Sequence, residues 1–175
     1  MALDLADGII KNVRAIIKKE GTTGPLFLLT QEPSGEFTIP GGCKDAEDAD
    51  LLTALHRELK EELYLDPTDY SAQATDIRKE YEHLYNTPPE RAGKNTVISL
   101  FLVSNLTKEP RASAEIKDIV WVTAEDALRM LKAPHMNELF RMSVFTPVIG
   151  YGKRFKTSSR NVMALSVHSS SKMRR

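Results

Sequence analysis

The sequence lacks the features that mark secreted and membrane proteins. It has a single cysteine, Cys43, which excludes an internal disulfide and a cysteine-rich zinc site and favours a reducing compartment. No apolar run approaches the roughly 20 residues that a membrane-spanning helix requires. Asp4 and Asp7 make the amino end a poor signal peptide. We therefore expect a cytoplasmic protein without a membrane partner.

The chain also lacks a net charge, but its charges are unevenly distributed. Its 24 Lys and Arg residues balance 24 Asp and Glu residues over 175 positions. Residues 151–175 hold seven basic residues and no acidic one, which leaves 17 basic and 24 acidic residues in 1–150. The length fits one domain. We predict a domain over residues 1–150 and a basic, flexible tail over 151–175, which is either solvated or binds a polyanion such as RNA.

The pattern of apolar, β-branched and turn-forming residues predicts an α/β fold. Strands are expected over residues 12–19, 25–31, 37–39, 72–84, 96–103 and 116–122, and helices over 51–65, 123–131 and 134–142. Thr123 is a typical N-cap residue for the second helix, with Asp126 three residues later. The order of strands and helices favours a mixed sheet with helices packed on it.

The helix over 51–65 carries a cluster of acidic side chains. At roughly 100° per residue, Glu58, Glu61 and Glu62 share one arc of roughly 100°. An apolar stripe is expected beside this arc, formed by Leu52, Leu55, Leu59 and Leu63. Like charges four residues apart destabilise a helix. The arc is therefore either a solvated helix face or a site at which a divalent cation compensates the repulsion.

A glycine pair precedes this helix. The strand over 37–39 leads through Pro40 into Gly41 and Gly42, and the absence of side chains there permits close approach of the backbone to another element. Ten residues, 42–51, join the pair to the helix, with Asp48 and Asp50 as candidate caps. A backbone carbonyl of the glycine turn is therefore expected to join the carboxylates around one metal site.

Between Gly42 and Leu65 the chain resembles the Nudix box of the Nudix hydrolases. That box reads Gly, five residues, Glu, seven residues, then Arg-Glu-apolar-any-Glu-Glu-any-Gly-apolar. The matching stretches are Pro40-Gly41-Gly42 and Arg57-Glu58-Leu59-Lys60-Glu61-Glu62-Leu63.

Two positions depart from the box. The loop before the helix is one residue longer, so that the first box Glu falls on Asp48 or on Ala49 according to the end from which it is counted. Glu47 or Asp48 is expected to substitute for it. The second box Gly is Tyr64, so we expect the helix to end differently. These departures motivate an alternative function, a Nudix-like nucleotide- or RNA-binding module with little or no catalysis.

The resemblance implies an α/β/α sandwich with a mixed β-sheet over about residues 10–145, and hydrolysis of a pyrophosphate bond with Mg²⁺, or Mn²⁺, as cofactor. The implied metal ligands are the Gly41 carbonyl and the carboxylates of Glu58, Glu61 and Glu62. Arg57 resembles the residue that orients these carboxylates through a salt bridge. The alternative for Arg57 is an exposed pair with Glu61, which adds little stability.

A downstream acid is a further candidate. Glu115 lies six residues before Trp121, and in the Nudix family a Glu ahead of a Trp-containing strand often ligates a metal or acts as the general base. Asp118 is the second choice, and an ordinary loop acid is the alternative. The resemblance leaves the general base open between Glu61 and Glu115.

The implied substrate is a nucleoside diphosphate linked to another moiety, such as a nucleotide, a dinucleoside polyphosphate, a nucleotide sugar or a capped RNA end. Aromatic side chains can stack on a base, although they more often belong to the core. The candidates are Phe37, Tyr81, His83, Tyr85 and Phe140. A generic α/β protein with an acidic helix is the remaining interpretation.

Overall fold

The computed structural model describes residues 8–82, 84, 89 and 91–145. In these residues the strands and α-helices are β1 Ile10–Gly21, β2 Gly24–Gln31, β3 Phe37–Thr38, α1 Leu51–Leu63, β4 Ser71–Tyr81, β5 Thr96–Ser104, β6 Asp118–Val122, α2 Ala124–Met130 and α3 Pro134–Phe145. Each predicted strand and helix is present, and only the ends differ. The predicted tail over 151–175 and two stacking candidates, His83 and Tyr85, lie outside the described residues.

β1 is the central strand of a mixed sheet. It pairs in parallel with β5, from Ile10 opposite Thr96 to Ile17 opposite Val103, and antiparallel with β2. β4 pairs antiparallel with β5, and β2 pairs antiparallel with β3 and β6. Most side chains of β1 are buried, because a strand inside a sheet that is covered on both faces has little contact with water.

Helices cover both faces of this sheet. Val13 and Ala15 of β1 form one core with α1, whereas Ile16 of the same strand joins a second core with α2 and α3. Successive side chains of a strand point to opposite faces, so α1 lies on one side of the sheet and the other two helices lie on the other. This arrangement confirms the predicted α/β/α sandwich.

The buried side of α1 differs in part from the prediction. The Asp50 carboxylate caps the helix by accepting a hydrogen bond from the Thr53 N–H at 2.7 Å. The buried side chains are Ala54, Leu55, Leu59 and Leu63. The prediction for Leu52 is wrong, because this residue is 39% exposed. Periodicity gives the direction of a side chain but not how far the neighbouring layer extends, and that layer leaves Leu52 uncovered.

The end of α1 also corrects an expectation. Tyr64 has φ 55° and ψ 32°, the left-handed conformation that glycine usually supplies after a helix. Its N–H donates to the Lys60 carbonyl at 3.1 Å, and the Leu65 N–H donates to the Leu59 carbonyl at 3.2 Å. The expectation of a different helix end is therefore wrong, since a tyrosine adopts the backbone conformation of the missing glycine.

The second predicted N-cap is also present. Thr123 precedes α2, and its hydroxyl accepts a hydrogen bond from the Asp126 N–H at 3.2 Å. Over the part of the chain that the structure describes, no helix combines the length and apolar character needed to cross a bilayer.

Candidate active site

Residues 40–43, which we call the diglycine segment, extend the sheet along the edge of β1. The N–H groups of Val13 and Ala15 donate to the carbonyls of Gly42 and Pro40, each at 2.9 Å. Gly41 has φ +124°, and a Cβ atom there would lie 2.2 Å from the Val13 carbonyl oxygen. Only glycine satisfies both the positive φ and this close approach.

Two of the predicted metal ligands meet this segment. The Gly41 N–H donates to Glu62 Oε2 at 3.0 Å. A Cβ atom on Gly42 would lie 2.3 Å from Glu58 Oε1, so this carboxylate occupies the space that any larger residue would need. In this structure Gly41 contacts the carboxylates through its N–H. The family resemblance implied that its carbonyl oxygen is a metal ligand.

Arg57 gathers the remaining acidic groups around one guanidinium. It lies 3.0 Å from Glu58 Oε1, 2.9 Å from Glu61 Oε2 and 3.0 Å from Asp48 Oδ2. It also donates to the Cys43 carbonyl at 2.8 Å, and its side chain is 20% exposed. The exposed-pair alternative for Arg57 therefore does not describe its surroundings, because one side chain joins both ends of the Nudix box.

The two candidates for the first box Glu are clearly distinguished. Asp48 is 5% exposed, contacts Arg57, and accepts a hydrogen bond from the Asp45 N–H at 2.9 Å. Glu47 is exposed. Asp48 thus occupies the position beside Arg57, and the extra loop residue is accommodated without loss of this ion pair.

Burial and charge shift the pKa values of these groups. Burial raises the pKa of Glu62 to about 7, against the opposing effects of the Arg14 charge and the Gly41 N–H. Burial also raises the pKa of Glu58, although Arg57 opposes the shift. For Arg57, burial acts to lower the pKa, but the contacts with Asp48 and the glutamates outweigh burial and raise it. The carboxylates at the diglycine segment therefore lack full compensation of their negative charge.

This donor set suits a hard divalent cation in its chemistry. Carboxylate and carbonyl oxygens are the ligands that Mg²⁺ prefers, and the raised pKa values of Glu58 and Glu62 indicate a place where positive charge is favourable. Within the described residues, no three acidic, histidine or cysteine side chains are already arranged as a metal site. Glu61 instead points to Arg57. Glu58 and Glu62 therefore lie at the diglycine segment, whereas Glu61 would have to leave Arg57 to complete the proposed ligand set.

The loop before β6 is fixed to the end of α1. The Ser113 N–H donates to the Glu62 carbonyl at 3.0 Å, and the Arg111 N–H donates to the Leu63 carbonyl at 3.1 Å. Glu115, two residues on, is exposed and close enough for its charge to contribute to the raised pKa of Glu62. Asp118 opens β6, where its carboxylate accepts the Ile119 N–H at 2.8 Å.

Sequence reasoning missed Arg14. Arg14 is 7% exposed. Its Nε donates to Asn12 Oδ1 at 3.0 Å, and its Nη1 donates to the Ile39 carbonyl at 2.8 Å. The signal that could have found it is a positive charge inside the apolar run Val13 to Ile17 of β1. Arg14 lines a cavity of about 180 Å³ together with Glu32, Glu36, Phe37, Thr38, Leu84, Ala133, His135 and Met136.

The described stacking candidates have different surroundings. Phe37 is partly buried and lines this cavity. Tyr81 packs edge-on against His135, with ring centroids 5.7 Å apart, and its hydroxyl donates to Glu138 at 3.1 Å. The suggestion of Phe140 is wrong, because its ring is 1% exposed and packs against Phe27 in the core.

The sequence matches one family model, described as the NUDIX domain, over residues 10–142. No curated protein matches this chain in sequence.

Several solved structures share the fold. A C. elegans Ap4A hydrolase, in a binary complex, is 24% identical with a TM-score of 0.61, covering 75% of this chain and 93% of that chain. The E. coli dihydroneopterin triphosphate pyrophosphohydrolase is 16% identical with a TM-score of 0.62, covering 75% and 92%. The NUDIX domain of Shewanella oneidensis NrtR, complexed with ADP ribose, is 18% identical with a TM-score of 0.60, covering 78% and 88%.

Proposed function

Because this chain belongs to the Nudix family and is a Nudix-type hydrolase, we propose that it cleaves a pyrophosphate bond in a nucleoside diphosphate linked to another moiety. The observation that carries this proposal is the convergence of Glu58 and Glu62 on the diglycine segment. Two acidic groups with raised pKa values at one point of the backbone create a need for positive charge, which a solvated helix face would not have.

The proposed cofactor is Mg²⁺, with Mn²⁺ as the second choice. Its proposed ligands are Glu58, Glu61, Glu62 and the Gly41 carbonyl. When bound, such a cation neutralises phosphate charge and lowers the pKa of a bound water so that it can attack phosphorus. In this proposal Arg57 is a positioning residue, because it holds Glu58 and Glu61 through ion pairs of 3.0 and 2.9 Å.

Two residues are proposed as alternatives for the general base. Glu61 lies on the same helix face as the other acids and is 28% exposed, while Glu115 approaches from the loop before β6. The base must lie within hydrogen-bond reach of the attacking water. Glu61→Gln and Glu115→Gln would be compared in hydrolysis, and the variant that lacks the true base should show the larger loss of kcat.

The proposed substrate class is supported by several structural relatives and does not depend on one of them. The named relatives act on or bind Ap4A, dihydroneopterin triphosphate and ADP ribose, which supports a dinucleoside polyphosphate, a nucleoside triphosphate-like compound or a nucleotide linked to a sugar. A capped RNA end is a fourth candidate, held by the basic residues of 151–175. The free and buried Cys43 supports the proposal of a cytoplasmic, reducing location.

The alternative of a binding module without catalysis has less support. It was motivated by Ala49 and Tyr64, which stand at box positions. Asp48 takes the place of the first box Glu beside Arg57, and Tyr64 adopts the backbone conformation of the missing glycine. Neither departure disturbs the acidic cluster.

The test of this function is a substrate panel with product identification by mass spectrometry. Wild type, Glu62→Gln and the matched control Glu47→Gln would be incubated with diadenosine tetraphosphate, ADP-ribose, a nucleoside triphosphate, a nucleotide sugar and a capped RNA in Mg²⁺. Wild type and the exposed-site control should release nucleotide products, and Glu62→Gln should not. Equal hydrolysis by all three proteins, or no hydrolysis of any substrate, would refute the proposal.

A further inference from the structure

Among the residues that the structure describes, the buried cation Arg14 has no ion-pair partner of its own. Its two hydrogen bonds go to a side-chain amide and a backbone carbonyl, both of which are neutral. A guanidinium has five N–H donors, so three of them have no partner within the described residues. Burying an ionised group that is not paired is unfavourable, because the group loses its hydration without gaining an opposite charge. An arginine kept in such a place is expected to serve a ligand.

The position of Arg14 relates it to the acidic cluster. Arg14 follows Val13, which belongs to the core against α1, and side chains alternate along a strand. Arg14 therefore projects from the opposite face of the sheet, toward α3. Between the two faces lies the diglycine segment, whose Gly41 and Gly42 have no side chains to separate them. Gly41 is close to both groups, because a Cβ atom there would lie 3.1 Å from the Arg14 Cα and its N–H donates to Glu62 Oε2 at 3.0 Å.

The cavity beside Arg14 is lined by groups of opposite charge. Of its lining residues, Thr38 is buried and His135 is half-buried, and burial, aided by the Arg14 charge, lowers the pKa of His135. Arg14 is thus the positive group of the cavity. Glu32 and Glu36 line the same cavity and are exposed. These two glutamates would repel a phosphate, whereas Arg14 would attract it. A group with N–H donors would instead find hydrogen-bond acceptors at the glutamates.

We propose that Arg14 binds a phosphate of the substrate that is not attacked, and that the cavity of about 180 Å³ receives the group attached to that phosphate. This inference rests on the proposed function and deepens it. It requires a substrate with at least one phosphate beyond the scissile one, and it orients the substrate across the diglycine segment. The attacked phosphorus lies on the carboxylate side and the nucleotide portion lies on the Arg14 side.

ADP is the probe, and calorimetric titration in EDTA is the measurement, because hydrolysis then makes no contribution. Wild type, Arg14→Gln and Arg14→Lys are compared with Arg78→Gln, which removes an exposed arginine that lines a different cavity. We expect Arg14→Gln to weaken ADP binding by about tenfold or more, Arg14→Lys to weaken it less because a point charge cannot reproduce the planar fork, and Arg78→Gln to bind as wild type does.

Adenosine is titrated in parallel, because it carries the base without phosphate. Equal adenosine binding by wild type and Arg14→Gln supports a phosphate contact. Loss of adenosine binding in Arg14→Gln would show that Arg14 contacts the nucleoside and would overturn the proposal. The proposal would also be overturned if wild type did not bind ADP, or if Arg14→Gln bound ADP as tightly as wild type does. Urea unfolding of each variant identifies any loss of folding, and Arg14→Lys, which keeps the charge, then carries the comparison.

A kinetic readout separates this inference from the proposed function. A group that holds a non-reacting phosphate stabilises the bound substrate and the transition state equally, so Arg14→Lys should raise KM with little change in kcat. Active enzyme with an unchanged KM in Arg14→Lys would refute the role of Arg14 alone. A wild type that hydrolyses no substrate would refute the proposed function, while ADP binding in EDTA would still report on Arg14.

Discussion

Glu62→Gln is expected to stabilise the metal-free protein at alkaline pH. The folded structure holds the Glu62 pKa at about 7 against an ordinary value of 4.5. The folded protein therefore keeps a proton that the unfolded chain releases between these pH values. Stability falls with rising pH wherever the folded state binds more protons. The free energy of unfolding should decline from about pH 4.5 to about pH 7 and remain low above it.

The shift sets an upper limit for this loss. Each pKa unit corresponds to about 1.4 kcal/mol, so the shift from 4.5 to about 7 would cost the wild type up to about 3–4 kcal/mol through Glu62. The raised pKa of Glu58 acts in the same direction. Gln has no charge to lose, and its side-chain oxygen can still accept the Gly41 N–H. The free energy of unfolding of Glu62→Gln should therefore exceed that of wild type by up to about 3–4 kcal/mol near pH 8 and match it near pH 4.

Urea unfolding in EDTA at several pH values measures this difference. The exposed-site control Glu47→Gln should follow the wild type throughout. Added Mg²⁺ should stabilise the wild type by binding to its folded state and should help Glu62→Gln much less. A variant no more stable than wild type near pH 8, or a difference independent of pH, would show that Glu62 is not an unfavourably buried charge.

Three further predictions concern other parts of the chain. Gly42→Ala should lower the hydrolysis rate at saturating substrate at least tenfold, because its Cβ would displace the Glu58 carboxylate; unchanged kcat would contradict this. The free energy of unfolding in urea should be about 1 kcal/mol higher for Tyr64→Gly than for Tyr64→Ala, because only glycine adopts the left-handed conformation without strain. Equal stability of the two variants would contradict this prediction. Truncation after Gly150 should weaken RNA binding at low salt but not hydrolysis of a small nucleotide, and unchanged RNA affinity would remove the role of the tail.

Local sequence patterns predicted the elements well, for identifiable reasons. β5 was expected from its run of β-branched and apolar residues, and it is the strand that pairs with both β1 and β4. The Thr123 cap of α2 depends on residues three apart and is therefore readable locally. The predicted burial of Leu52 was wrong for the opposite reason, because the exposure of this side chain depends on how far a layer built from other parts of the chain extends.

The site required long-range information that spacing cannot supply. The motif predicted that the glycine pair and the helix acids would meet, but not that residues 40–43 would pair with the edge of β1. That pairing connects positions as far as 29 residues apart, such as Val13 and Gly42, and its register is set by tertiary packing. The choice between Glu47 and Asp48 was likewise decided by the loop conformation that brings Asp48 to Arg57.

The two arginines at the site differ in their pairing, and this difference indicates their tasks. Arg57 is surrounded by carboxylates and a carbonyl that satisfy its charge within the protein, so removing it leaves buried acids unpaired and should destabilise the fold by about 3 kcal/mol or more. Within the described part of the chain Arg14 has only neutral hydrogen-bond partners, so a ligand has most to gain from it. The motif identified the arginine that the protein itself uses. Only the folded sheet, with the diglycine segment between its faces, identifies the one available to substrate.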